Sequence, residues 1–210
     1  MLSNIFSVAK KQTDNADGNV TVILTVWKRN YLEEQIEAII NQTVRPYQVW
    51  IYQCGDFVNT KKLRRIFPNI QWINSSINLK YFGRFSLAVY AKSDYVWILD
   101  DDVIPSRSWL SESEKMCNMM NAIISSTGRI ISYNDVKKDD TIDLRRYLIG
   151  DGHDEMVCNF NDKQRVVDFG CNSWLFKKEW MNLFWKIPPY TLDNAEDIHL
   201  SATCKIFNDA

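Results

Sequence analysis

The chain has 210 residues, 46% of them hydrophobic and 24% charged, which suits one globular domain with a core of its own. A formal net charge of −1 excludes a surface built to coat nucleic acid, which needs a basic excess. Five cysteines, an odd number with no CxxC pair, argue for reduced thiols, and two histidines far from any cysteine pair argue against structural zinc.

In chain order, residues 1–18 end in DNADG and read as a loose polar lead-in. Val20 to Trp27 (VTVILTVW) is apolar and β-branched, the pattern of a buried strand. Asn30 and Glu33 have capping-box spacing before a helix striped by Leu32, Ile36, Ile39 and Ile40, which stops near Pro46. Gln48 to Tyr52 is a second strand, Lys61 to Phe67 a helix, Ile70 to Ile73 a third strand, Arg84 to Ala91 a helix, and Tyr95 to Leu99 a fourth strand. This alternation predicts βαβ units and an α/β fold: a mainly parallel sheet with helices on both faces.

Ser108 to Ile124 reads as a helix whose Met116, Met119 and Met120 suit a core, and Arg129 to Tyr133 as a strand. Residues 134–163 turn polar, as in a mobile loop. Arg165 to Phe169 reads as a strand and Lys177 to Trp185 as an aromatic-rich helix. A last helix runs from a DNAE capping box at Asp193 to Ile206. The expectation is a single domain over 1–210, cut from a longer protein. With no signal-like apolar run and no stretch of about 18 apolar residues, it is also expected to be cytoplasmic, without a membrane segment.

The chemistry gathers at YVWILDDDVIP, where a strand runs straight into Asp100, Asp101 and Asp102. Three adjacent carboxylates repel one another and call for a cation. The glycines are scattered, with no GxGxxG or GxxxxGK, so a bound diphosphate would need a metal to neutralise it. Hard carboxylate oxygens suit Mg²⁺ or Mn²⁺. A bare DxD is also read as a solvated acidic turn, but α/β sheets bind ligands at the carboxyl ends of their strands, where this one lies. Haloacid-dehalogenase-type phosphatases also carry DxD after a strand, with its first Asp as nucleophile, and a non-catalytic nucleotide-sugar-binding module is a third reading.

The strand start VTVILTVWKRNYLEEQIEAIINQT, the CGD after strand two, the DDD after WIL, and VDFGCNSWLFKKEW followed by EDIHLS resemble GT-A nucleotide-sugar glycosyltransferases. Within them the pattern is similar to the exostosin-like branch and related microbial and viral transferases, including large chlorella-virus enzymes of capsid-glycan synthesis. The resemblance spans residues 20–207. It implies a GT-A fold with a Rossmann-like nucleotide-binding half, a UDP-sugar donor, a glycan or glycoprotein acceptor, no nucleic-acid partner, Mn²⁺ or Mg²⁺ as cofactor, and a host-cytoplasmic place if the source is viral.

Carried over by position, the resemblance makes Asp102 the metal ligand, with Asp100 at the metal or ribose and Asp101 beside the donor. Thr25, Val26, Trp27 and Arg29 would line the nucleotide, Asp56 would meet the uracil edge, and Asn78 and Arg84 would contact nucleotide and sugar. Glu196 and Asp197 become the catalytic acids, although Glu196 also fits the capping box. Helical spacing puts Asp197, Ser201 and Lys205 on one face, next to an Ile198, Ala202, Ile206 stripe expected to meet the core. Trp174 is the one aromatic expected to touch ligand.

Overall fold

The computed structural model describes residues 18–130 and 164–208, and the backbone of 148–149. The lead-in at 1–17, the rest of the polar 134–163 stretch, His153 and Cys158 lie outside the described residues.

Four strands, β1 (Val20–Val26), β2 (Gln48–Cys54), β3 (Gln71–Ser75) and β4 (Tyr95–Leu99), pair in parallel in the order β3-β2-β1-β4. Helices α1 (Leu32–Ile40), α2 (Lys61–Ile66) and α3 (Phe82–Ala88) make the crossovers. Covered on both faces, β1 and β4 bury nearly every residue, which is why both read as unbroken apolar runs. The chain goes outward from β1 to β3 and then returns to lay β4 on the other side of β1. The carboxyl ends of β1 and β4 therefore flank a switch point in strand order.

The second half comprises α4 (Trp109–Met120), β5 (Ile124–Arg129), β6 (Leu148–Ile149), β7 (Phe169–Lys177), a 3₁₀ turn at Lys178–Trp180, α5 (Met181–Phe184) and α6 (Glu196–Asn208). It extends the sheet as β4-β7-β5-β6 through antiparallel pairs. Because β7 runs against β4, with Ser173 opposite Leu99, its first residues lie beside the start of the aspartate triplet.

Several boundaries differ from those read in the sequence. Asn121 takes a left-handed conformation (φ 49°) that ends α4 at Met120, short of the expected Ile124, and the strand expected at Arg129–Tyr133 is instead Ile124–Arg129, with 131–133 outside the described residues. Met119 and Met120 are exposed rather than in the core. The strand expected at Arg165–Phe169 begins only at Phe169 and runs to Lys177. Neither capping box forms. Tyr31 opens α1 without a side-chain cap, and Asp193 pairs with Lys80 while α6 starts at Glu196.

Candidate functional site

The aspartate triplet leaves β4 in a turn fixed from three directions. The Asp100 N–H donates to the Asn172 carbonyl of β7 (2.9 Å), and the Val103 N–H to the Asp100 carbonyl (3.4 Å). From α1, the buried Gln35 amide donates to both the Asp100 carbonyl (3.1 Å) and the Val103 carbonyl (2.8 Å). The carboxylates then part company. Asp100 turns inward to an ion pair with Arg84, Asp101 accepts the Lys28 N–H (3.3 Å), and Asp102 faces outward with Arg29 (3.4 Å). Each acid has its own donor, which relieves the repulsion the sequence creates.

Arg84 lies on α3, where glycine brings the helix close to the sheet. A Cβ at Gly83 would sit 2.5 Å from the Tyr52 hydroxyl. The guanidinium is 3% exposed, and its centre lies 4.9 Å from the Trp174 ring. Its two terminal nitrogens hold Asp100 and Glu196, the latter at 2.6 Å, and its Nε is buried without a partner. Burial lowers the Arg84 pKa from its ordinary value, with the Glu196 charge the largest opposing influence. Burial also raises Glu196, against Arg84. Glu196 is therefore an internal counter-ion and not a helix cap.

Next to it, Asp197 is half-buried and accepts the Ile198 N–H (2.8 Å) and the Cys171 thiol (3.7 Å). Burial pushes its carboxyl above the usual range, opposed by those two donors and by Arg129. Burial likewise lifts the Cys171 thiol to about 11, so it stays a donor near neutrality. Two non-glycine residues in the left-handed region border this corner, Asn172 (φ 65°) in β7 and Ala195 (φ 64°) just before α6. Backbone strain of this kind persists where surrounding structure over-determines it. The buried face of α6 is Glu196, Leu200, Thr203 and Cys204, so the Ile198, Ala202, Ile206 stripe faces solvent, contrary to expectation.

The residues expected to line the nucleotide gather at the ends of β1 and β2, which pair through Val26 and Gln53. The Val26 side chain is in the core, and Thr25 Oγ1 is buried without a partner. Trp27 meets Phe57 edge-on with centroids 4.5 Å apart, and Lys28 Nζ lies 5.1 and 4.7 Å from the two rings. Asp56 is exposed on the turn after Gly55, whose φ of 74° suits glycine. Asn78 is also exposed, and its Oδ1 accepts the Lys80 N–H (2.8 Å) and the Cys54 thiol (3.5 Å).

Trp174, expected at the ligand, is 1% exposed and donates to the Gly170 carbonyl (2.9 Å), forming the floor beneath Arg84. His199 is satisfied by the Phe184 carbonyl (2.8 Å). Gln35, Phe57 and Cys171 belong to the site but were not singled out in the sequence. Only Phe57, just past CGD, had a usable signal. An open cleft of about 540 Å³ between Ala91–Tyr95 and Lys177–Glu179 lies at the start of β4, the opposite end of that strand from these carboxylates.

Among the described residues no three His, Cys, Asp or Glu side chains form a ready-made metal cage. Asp102 nonetheless suits a hard divalent ion. Its side chain is 42% exposed and its partner Arg29 is loosely held. Such ions bind through one or two carboxylates, leaving positions for phosphate and water.

An acidic turn at the β1/β4 switch point, closed by an antiparallel strand, defines a GT-A-like fold of the kind found in nucleotide-sugar glycosyltransferases. The chain is similar in structure to S. aureus TarS 1–349, with a TM-score of 0.56 at 12% identity over 89% of this chain and 55% of that one. The same protein in complex with UDP gives 0.57 at 12% identity over 88% and 54%. The mannosyltransferase PcManGT from Pyrobaculum calidifontis, in complex with GDP-Man and Mn²⁺, gives 0.51 at 17% identity over 92% and 55%. This chain spans about half the length of these structures, and at such identities the likeness is one of fold. No protein-family model matches the chain, and no curated protein matches it. No helix of the described residues is long and apolar enough to cross a membrane.

Proposed function

We propose that the chain is a glycosyltransferase that moves a hexosyl or deoxyhexosyl group from a UDP-sugar to a hydroxyl of a glycan or glycoprotein. The observation that carries this reading is the division of the carboxylates. Asp102 faces outward at the switch point while Asp197 sits half-buried across the Arg84 bridge. Further support comes from the fold, shared with proteins solved with UDP, UDP-GlcNAc or GDP-Man.

In this reading Thr25, Val26, Trp27 and Arg29 line the nucleotide, with Phe57 beside Trp27, Asp56 at the base edge and Asn78 toward the sugar. Asp102 holds Mn²⁺ or Mg²⁺, with Asp101 beside the donor. The ion supplies positive charge where the departing diphosphate gains negative charge. Arg29, released from Asp102, is free to meet a phosphate oxygen. Asp197 orients the acceptor hydroxyl and accepts its proton. The resemblance of the motif order to exostosin-like and chlorella-virus transferases supports the finer reading, retention at the anomeric carbon and a role in capsid glycans. The phosphatase alternative needs Asp100 as nucleophile, and Arg84 holds that carboxylate.

Thermal unfolding tests the proposal. UDP with Mn²⁺ is expected to raise the Tm, and UDP with chelator to raise it much less. Asp102→Asn is expected to abolish the metal-dependent part. Asp197→Asn is expected to keep it and slow sugar transfer across a nucleotide-sugar panel. Equal stabilisation with chelator, or normal transfer by Asp197→Asn, defeats the corresponding assignment.

A further inference from the structure

Arg84 touches both acidic motifs and commits one terminal nitrogen to each. One terminal nitrogen is on Asp100, the other on Glu196, and Nε is buried. The side chain is 3% exposed, with Trp174 against its face. Its contacts span three elements distant in sequence: α3, the end of β4 and the start of α6.

We infer that Arg84 is a positioning residue. Its planar fork fastens the aspartate turn to the first residue of α6, so that the donor-binding edge and Asp197 keep a fixed distance, and it never touches the substrate. The inference rests on the glycosyl-transfer reading for its consequence in catalysis, but its geometry stands without it.

Three physical points favour this role over direct binding. First, moving the guanidinium to a phosphate would break both ion pairs and strand two carboxylates, Asp100 and the buried Glu196. Second, one cation faces two anions here, so the cluster already carries the charge that suits a cationic neighbour such as a metal at Asp102, not a further anion. Third, only a rigid two-pronged donor reaches both acids at once. A lysine presents a point charge and holds one. The direct nucleotide and sugar contact that the sequence resemblance implies for Arg84 is thereby replaced by an indirect one, through Asp100 and Glu196.

Two measurements test it. In Arg84→Lys, turnover is expected to fall by about tenfold or more, the loss expected when reacting groups shift by about an ångström. The Kd for UDP with Mn²⁺, by calorimetry, is expected to stay within about twofold, because Arg84 itself makes no ligand contact. A Kd that rises in step with the loss of turnover means direct contact with the nucleotide and overturns the inference, as does unchanged turnover.

The second measurement needs no ligand. Asp100→Asn and Glu196→Gln each leave Arg84 one charged partner, and together they leave it none. The double variant is expected to lose more Tm than the two single losses added, and the same two changes are expected to add in an Arg84→Met background. Additive losses with Arg84 present overturn the shared fork. A protein that passes this cycle but binds no UDP or GDP would refute the glycosyl-transfer reading and leave the bridge standing.

Discussion

Asp197 carries its burial as a titration signature. Its carboxyl is raised above the ordinary range, so as a proton acceptor it becomes competent only at a pH above that of a solvated aspartate, about 3.9. The acidic limb of the pH–rate profile for kcat is expected above that value. The Cys171 thiol donates to the ionised form and holds the pKa down, so Cys171→Ala is expected to move the limb further up. A limb that stays in place in Cys171→Ala would detach the thiol from the titration of Asp197. The same shift has a sign in stability. A carboxyl with a raised folded pKa binds its proton more tightly in the native state, so the stabilisation it contributes is present below about 3.9 and is lost as pH rises through the folded value. Asp197→Asn is expected to flatten that part of the stability profile, as followed by denaturant titrations at several pH values.

At the scale of elements, α1 acts as a clamp for the segment after β4. Gln35 holds the aspartate turn, and Gln42, just past the helix, donates to the Ser106 carbonyl (2.7 Å) and accepts the Leu110 N–H (2.9 Å). That N–H is one of the unpaired donors opening α4, whose own Ser108 gives no side-chain cap. Gln42 thus caps a helix about 70 residues further along the chain. Gln35→Leu is expected to cost about 1–3 kcal/mol by removing the donor to the Val103 carbonyl and one of the two donors to the Asp100 carbonyl, and to weaken UDP binding. Gln42→Ala, a lost cap, is expected to cost about 0.5–2 kcal/mol with UDP binding unchanged. Equal effects of the two variants on the UDP Kd would mean the turn is not what Gln35 supports. Neither role was legible in the sequence, because a buried glutamine, in α1 or just past it, reads as a polar position. Strands β1 and β4 were legible, since a strand covered on both faces writes an unbroken apolar run. Strand β7 was not, because FGCNSWLFK breaks its pattern with a glycine and a left-handed Asn172. The face of α6 was misread for a related reason. Glu196 counts as polar in any periodicity, yet its ion pair with Arg84 makes it an interior residue, and the Ile198, Ala202, Ile206 stripe took its place.

For the whole molecule, the site straddles the seam between the parallel block and its antiparallel extension, and an aromatic core lies directly beneath it. Phe85, next to Arg84 in α3, is fully buried. It stacks on Phe184 at 5.0 Å, lies near-parallel to Phe176 at 6.4 Å and meets Trp174 edge-on at 5.8 Å, joining α3, α5 and β7. The cluster sets the height of Trp174 under the guanidinium, so packing and electrostatics share one support. Phe85→Ala removes contacts on three sides, and such truncations cost about 3–5 kcal/mol. In a domain of this size that corresponds to a Tm lower by on the order of 10 °C. The same change is expected to slow turnover well below the new Tm, because the floor of the Arg84 bridge shifts with it. Tyr90→Ala, at an exposed position at the end of the same segment, is the control and is expected to move the Tm little. If Phe85→Ala lowers the Tm but leaves turnover intact in the folded range, the aromatic core and the site are mechanically separate.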